Sequence, residues 1–330
     1  MTRPSSASSS PRPSSGPASG SASGPASGSP AAARWSDLER PPLNATALRR
    51  ALVRPAGAGL WRELQVVAET GSTNTDLAER VRAGDAHTAP EGVVLVAEQQ
   101  TAGRGRLDRD WVAPARSGLF FSVLLRPGAA GVPRERWGWL PLLAGVATAT
   151  ALARTAGVDT ALKWPNDLLV TVDGEERKLG GILGEQVAPE RAGGVPEDAE
   201  GAVVLGVGLN VSLRAEELPV PTAGSLKLAG APNTDRDPLL RAVLRSLADW
   251  YVRWRDAGGD PAAHRLQEAY TAGCATLGRS VRVLLPGGRE ETGRAVAIDA
   301  HGRLVLSTAD GRRLPVSAGD VVHLRPHPER

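Results

Sequence analysis

Residues 93–97 (Val-Val-Leu-Val-Ala) and 119–125 (Leu-Phe-Phe-Ser-Val-Leu-Leu) are apolar and rich in β-branched or aromatic side chains. Such runs suit strands buried inside a sheet, so the chain has to build a sheet and cover it. Further alternating or apolar stretches at residues 168–172, 178–187 and 203–211 read as paired strands. The turn signal Asp173-Gly174 and a Gly/Pro/acidic loop at residues 189–201 separate them. The cover comes from Ala- and Leu-rich residues 137–155, whose apolar positions recur at helical spacing. Residues 238–255 and 261–272 predict two more helices, each with Pro near its first turn and with Asp237 or Asp260 placed as N-cap. Upstream, residues 36–53 read as a helical lead-in capped by Asn44 and residues 63–69 as a strand. Residues 75–82 read as a short helix opened by Ser72-Thr73-Asn74. From residue 279 to 324 the texture changes to short strands broken by Pro286-Gly287-Gly288, Ala300-His301-Gly302 and Asp310-Gly311, as in a small barrel. A domain boundary is expected near residue 274.

Composition narrows the class. With 41% hydrophobic and 23% charged residues among 330, the chain is globular overall and long enough for an enzyme of two or three domains. The first 33 residues, almost wholly Ser, Ala, Gly and Pro, are the exception. They lack the apolar content to offset ordering entropy and predict a disordered tail over residues 1–35. That segment has no apolar stretch of the secretory kind, and no later run approaches a membrane span. Cys274 is the only cysteine, so no disulfide forms within the chain and a reducing compartment, the cytoplasm, is expected. The five histidines are dispersed, which argues against a zinc site. Thirty-nine cations nearly balance 36 carboxylates for a net charge of +3, which does not demand a nucleic-acid surface.

The cations are informative in kind. Only Lys163, Lys178 and Lys227 are lysines among the 39. Two of them fall in Lys163-Trp-Pro-Asn-Asp167 and Lys178-Leu-Gly-Gly181, where a compact ammonium suits a phosphoryl or carboxylate oxygen. Chance survival of lysine is the bland alternative. The segment Glu98-Gln-Gln-Thr-Ala-Gly-Arg-Gly-Arg-Leu-Asp-Arg-Asp-Trp111 is a Gly-interrupted basic loop between two strands. Gly103 and Gly105 would let backbone N–H groups approach an anion, and Arg104, Arg106 and Arg109 add charge. It matches neither a P-loop nor a dinucleotide fingerprint. Without ligand it should be mobile and order over a nucleotide, unless it is merely a solvated turn or an RNA contact. Gly71-Ser72-Thr73-Asn74 and Gly206-Val-Gly-Leu-Asn210 read as polar strand tips able to address a neutral ligand, or simply as caps and turns.

Taken in order, Gly-Ser-Thr-Asn, Glu-Gln-Gln-Thr-Ala-Gly-Arg-Gly-Arg ending in Trp, Lys-Trp-Pro-Asn-Asp, Lys-Leu-Gly-Gly-Ile-Leu and Gly-Val-Gly-Leu-Asn resemble the bacterial biotin protein ligases over about residues 60–325. The resemblance implies an α+β fold: a mixed sheet flanked by helices, like class II tRNA synthetases, then a small SH3-like barrel. The expected parts are a tail at 1–35, a catalytic domain at 36–273 and the barrel at 274–330. It implies that Ser72, Thr73, Asn74 and Gln100 recognise the ureido ring of biotin, and that Arg104, Gly105, Arg106, Lys178 and Gly181 complete the biotin site. Gly103, Arg104, Arg106, Trp111, Asn166 and Asn210 are placed toward the nucleotide. Lys178, Arg106 and Asp167 carry the catalytic roles.

The implied reaction couples biotin to ATP with Mg2+ as biotinyl-5'-AMP. Biotin is then transferred to a lysine of a biotin carboxyl carrier protein or domain. Two departures stand out. Leu107-Asp108-Arg109-Asp110 replaces a more basic run and lowers the loop's potential. Before residue 63 nothing suggests the winged-helix domain of some members, so a ligase without DNA binding is expected. A lipoate or octanoate ligase and a non-catalytic nucleic-acid-binding protein are the alternatives; the sequence leaves oligomeric state open.

Overall fold

In a computed structural model the described residues are 39–54, 59–84, 89–188, 201–285 and 287–324. The predicted tail, the start of the lead-in helix, the loop at 189–200 and Pro286 lie outside them. Residues 40–330 form one compact unit. Among the described residues no helix is long and apolar enough to cross a membrane.

Seven strands make a mixed sheet: β1 (Glu63–Val67), β2 (Val93–Ala97), β5 (Gly118–Leu125), β6 (Ala161–Lys163), β7 (Asp167–Val172), β8 (Glu175–Val187) and β9 (Ala202–Asn210). Their spatial order is β1-β2-β5-β9-β8-β7-β6, with β1 and β2 parallel and the other pairs antiparallel. A two-stranded ribbon of β3 (Gly103–Arg104) and β4 (Asp110–Trp111) rises from the loop between β2 and β5. The β7–β8 hairpin turns at Asp173 (φ 53°) and Gly174 (φ 80°), the two left-handed residues that the sequence signal predicts.

The central strands β2 and β5 are buried along their whole length, and their two-residue period, with that of β9, divides the core in two. Val94 and Val96 of β2, Phe121 and Val123 of β5, and Val203, Leu205 and Val207 of β9 face one side. There they meet α1 (Ala45–Leu52), α3 (Trp139–Thr155), α4 (Arg236–Asp256) and α5 (Leu266–Gly273) through Leu48, Leu140, Leu244 and Tyr270. Val93, Leu95, Leu124 and Val204 face the other side and, among the described residues, pack with Leu77, Ala78 and Val81 of α2 (Thr73–Ala83). A cavity lies on this same face, next to the start of α2.

Asn44 caps α1 as expected, accepting from the Ala47 N–H at 3.0 Å. Two caps differ from expectation. Asp235, not Asp237, accepts the capping bond of α4 at 3.0 Å. Asp237 instead receives the Asn44 N–H from α1. Helix α5 begins at Leu266, because Pro261 and the residues after it form a turn in which Asp260 accepts from the Ala262 N–H at 3.0 Å.

The C-terminal strands β10 (Ser280–Leu284), β11 (Glu290–Ile298), β12 (Leu304–Ser307), β13 (Arg313–Val316) and β14 (Asp320–His323) form an antiparallel sheet ordered β13-β12-β11-β10-β14. Its end strands are not paired with each other, so the expected barrel is an open one. Val281, Val283, Leu304 and Leu306 join the helix-side core. Trp139 and Trp164 of the first sheet's side donate their indole N–H groups to the carbonyls of Ala300 and Gly302, both at 3.0 Å.

Beside them, Arg279 grips Glu176 with bonds of 2.7 and 2.6 Å and donates to Nδ1 of His323 at 3.0 Å. His323 Nε2 lies 3.1 Å from Thr276 Oγ1. An imidazole that accepts at Nδ1 carries its proton at Nε2 and is neutral. Burial, then Lys163 and Arg279, bring its pKa down to about 4 from 6.5. The unfolded chain therefore binds this proton first, and stability held above pH 6.5 is lost as pH falls toward 4. The slope of thermal midpoint against pH between about 6.5 and 5 should flatten in His323→Gln. An identical slope in that variant would rule out this source of acid sensitivity.

Candidate active site

The cavity lies on the α2 face of the first sheet, beyond the apolar contacts of that helix. Strand periodicity decides what reaches it. On β9 the α2 face reads Ala202, Val204, Gly206, Gly208, so an apolar wall gives way to a floor without side chains. A Cβ on Gly206 would lie 2.1 Å from Asn74 Oδ1, and one on Gly208 3.0 Å from the Trp111 ring. Neighbouring β8 contributes Gly181 and Glu185. The glycines let other elements descend onto the sheet.

What descends at one end is the start of α2. Ser72, Thr73 and Asn74 are 3–4% exposed. Ser72 caps the helix, accepting from the Thr75 N–H at 3.4 Å. The backbone N–H and the hydroxyl of Thr73 donate to Gln100 Oε1 at 2.8 and 3.1 Å. Ser122 of β5 lies 2.7 Å from Thr73 Oγ1 and 2.6 Å from Asn74 Oδ1. The Asn74 amide donates to the Leu183 carbonyl at 3.2 Å and to Glu185 at 2.8 Å. Apart from the Glu185 carboxylate, these are neutral hydrogen-bonding groups that hold one another in orientation, which suits a neutral polar ligand.

At the other end are cations. Lys178 Nζ stands 2.7 Å from Asp167 Oδ1 and 5.9 Å from the centre of the Trp111 ring. The Arg loop lies across the opening as a strap. Arg104 pairs with Glu185 at 3.0 Å, and Arg106 donates to Asn166 Oδ1 at 3.1 Å and to the Gly319 carbonyl at 3.3 Å. Arg109 pairs with Asp320. Burial pulls the Arg106 guanidinium below its ordinary range, against the pull of Asp320 and Asp167. The hydrogen bond to Asp320 holds Arg109 above that range. Trp111 lies in the cavity, its indole N–H buried and without a hydrogen-bond partner among the described residues. With the strap and indole in place the cavity is about 80 Å³. Small-molecule sites usually need at least ~300 Å³, so a ligand must displace the strap, the indole or both.

Of the fourteen residues to which the resemblance gives a site role, twelve line this cavity: Ser72, Thr73, Asn74, Gln100, Arg104, Gly105, Arg106, Trp111, Asn166, Asp167, Lys178 and Gly181; Arg109 of the basic loop lines it too. Gly103 and Asn210 do not. Gly103 is paired with Trp111 in the ribbon, where a Cβ would lie 2.5 Å from the Trp111 carbonyl. Asn210 is buried behind the floor, its amide donating to the Gly224 carbonyl at 2.9 Å. Nor does Gly105 offer its N–H to an anion, since the Arg109 carbonyl accepts it at 2.6 Å. The glycines of the strap serve tight backbone packing, and its side chains supply the charge.

Ser122, Glu185 and Asp320 were not found from sequence. Ser122 had a signal, being the lone hydroxyl in an apolar strand; Gly206 and Gly208 were singled out with their motif, but as a polar tip and not as a floor. Glu185 and Asp320 had none, because each is defined by a partner distant along the chain.

Residues 67–195 match the model of the biotin/lipoate A/B protein ligase family, and residues 276–324 match the biotin protein ligase C terminal domain. The biotin–[acetyl-CoA-carboxylase] ligase of Mycobacterium tuberculosis is 45% identical over 292 residues, covering 88% of this chain and 98% of that protein. The bifunctional ligase/repressor BirA of Bacillus subtilis is 32% identical over 256 residues, covering 77% and 71%. Among solved structures, the biotin protein ligase from Aquifex aeolicus in complex with biotin and ATP superposes with a TM-score of 0.61 at 26% identity. That match covers 80% of this chain and all of the other.

Proposed function

The chain belongs to the biotin protein ligases, and on that premise we propose how its cavity activates biotin with ATP and passes it to a carrier. The observation that carries this reading is one cavity lined both by the buried hydroxyl and amide groups of Ser72, Thr73, Asn74 and Gln100 and by the cations Lys178 and Arg106. Biotin has the same polarity, a neutral ureido ring at one end and a carboxylate at the other.

Ser72, Thr73, Asn74 and Gln100 take the ring. A plain fatty acid has no ureido group to use the hydrogen-bonding capacity these groups retain beyond their mutual contacts, which is the basis for rejecting it. The carboxylate then reaches Lys178, and one of its oxygens attacks the α-phosphorus of ATP. The bond from that phosphorus to the bridging oxygen breaks and pyrophosphate leaves. Lys178, Arg104 and Arg106 stabilise the charge that accumulates on the phosphoryl oxygens. Trp111 packs against the closed strap and the nucleotide, with its indole N–H as a further donor, and Asn166 faces the same end.

Asp167 and Asp320 are the carboxylates lining the cavity, and Arg109 engages Asp320. Asp167, paired with Lys178, would be the carboxylate at hand for a magnesium ion arriving on the triphosphate once Lys178 turned to the phosphoryl oxygens, since such ions keep few protein ligands. In the second step the ε-amine of a carrier lysine attacks the biotinyl carbonyl and AMP leaves. The amine loses a proton, and Asp167, on the cavity lining, is the group assigned to orient it or accept that proton. The Mycobacterium relative is named for ligation to acetyl-CoA carboxylase, and on this reading the acceptor is that enzyme's biotin carboxyl carrier protein or domain. The catalytic part is taken as 36–273 and the accessory part as 274–330, and the cytoplasm as the working compartment.

The direct test is ATP–pyrophosphate exchange by the full chain with biotin, lipoate or octanoate. Exchange should follow biotin alone. Equal exchange with lipoate or octanoate would overturn the assignment of the hydroxyl and amide groups at the ring end.

A further inference from the structure

We propose that Asp320, on the C-terminal sheet, is a positioning residue that latches the arginine strap over the cavity and so slows escape of the acyl-adenylate. The strap crosses to that sheet at two places: Arg106 donates to the Gly319 carbonyl, and both terminal nitrogens of Arg109 engage the Asp320 carboxylate. A forked pairing of guanidinium with carboxylate fixes direction as well as distance. Asp320 also lines the cavity, so its carboxylate stands at the rim where the strap meets the ligand space.

Its position is set by backbone. Asp320 opens β14 opposite Leu284 of β10. The preceding Gly319 has φ 154°, and a Cβ there would lie 2.6 Å from Val283 Cγ1 and 2.9 Å from the Leu284 carbonyl. Only glycine brings the chain so close to β10 before turning the carboxylate outward. The strap side is equally defined. Gly105 N–H to Arg109 O, at 2.6 Å, closes the ribbon's tip and points Arg109 away from Trp111 toward the C-terminal sheet. Arg104 and Arg106 hold the strap to the cavity's own walls, through Glu185 and Asn166. Arg109 is the arginine of the three whose ion pair ties it to the other sheet.

The pair is partly exposed, 61% for Arg109 and 30% for Asp320. Solvent screening limits it to a modest bias on closing, roughly threefold to fivefold in rate or population, not an all-or-none lock. That is the size of effect a strap needs if it must also open to admit ligand.

The test compares the full chain with Asp320→Asn and with the reversed pair Arg109→Asp/Asp320→Arg. In the absence of ligand, trypsin should cut after Arg104 and Arg106 about threefold to fivefold faster in Asp320→Asn and near the original rate in the reversed pair. A variant that merely destabilised the C-terminal sheet would be cut faster throughout and would not be rescued. Retention of biotinyl-AMP on rapid gel filtration should follow the same order; this second readout rests on the ligase reading. Unchanged strap cleavage in Asp320→Asn, or no recovery in the reversed pair, overturns the latch. Failure of the unaltered chain to form biotinyl-AMP would overturn the ligase reading, while strap cleavage still decides the latch.

Discussion

Lys178→Ala is expected to lower biotin-dependent pyrophosphate exchange by about 100-fold or more, the scale for removing one donor aimed at developing charge. Its backbone is held independently of its side chain: the N–H donates to the Thr222 carbonyl and the carbonyl accepts from the Gly224 N–H, each at 2.8 Å. The variant should therefore fold, and the loss should fall on kcat more than on biotin affinity. Lys178→Arg should recover little of it. A guanidinium is planar and broad, and the space between Asp167 and the Trp111 ring is cut for a compact ammonium. Exchange within a few-fold of the unaltered chain would remove Lys178 from the chemistry.

The largest effect on stability should come from a pair outside the cavity. Glu98 and Arg236 are both buried, with Nη1 2.6 Å from Oε2. Each has further partners: the other Glu98 oxygen accepts the Leu43 N–H at 2.6 Å, and Arg236 also donates to the carbonyls of Pro41 and Gly118. Arg236→Ala leaves a buried carboxylate with one N–H, a change that costs about 3–5 kcal/mol. For a unit of this size that is a fall of roughly 10 °C in thermal midpoint. Replacing both residues by apolar ones of similar volume should cost less than the single change. Thermal unfolding of the three variants checks it, and a loss below about 1 kcal/mol in Arg236→Ala would show that the pair is not a brace. The site has a stake in the outcome, since the Glu98 carbonyl accepts the Arg116 N–H at 2.8 Å and thereby closes the neck of the strap.

Much of this was legible before any coordinates. Strands 93–97 and 119–125 announce themselves because both faces are covered, and a doubly buried strand has few polar positions to blur the pattern. Lysines 163 and 178 stood out against a background of arginine. Misreadings arose where two local explanations fit one residue. Asp237 and Asp260 both have capping chemistry, and which aspartate caps depends on where tertiary packing starts the helix. Asn210 sits in a motif whose glycines matter for the cavity, yet its own amide serves the Gly224 carbonyl behind it. The glycines of the strap look like an anion nest, but the ribbon consumes the Gly105 N–H. Glu185 and Asp320 could not be seen at all: a carboxylate's meaning lies in which arginine it meets, and Arg104 and Arg109 are far from them in sequence.

The indole bonds from Trp139 and Trp164 to the carbonyls of Ala300 and Gly302 bear on how the chain is made. Synthesis runs from the N-terminus, so the ribosome releases both tryptophans well before the carbonyls that will receive them. Until the closing strands emerge, the first sheet waits with two large rings lacking their hydrogen-bond acceptors. A premature stop ahead of Ala300 would leave both rings without those acceptors and so harm the first sheet as well as the final module.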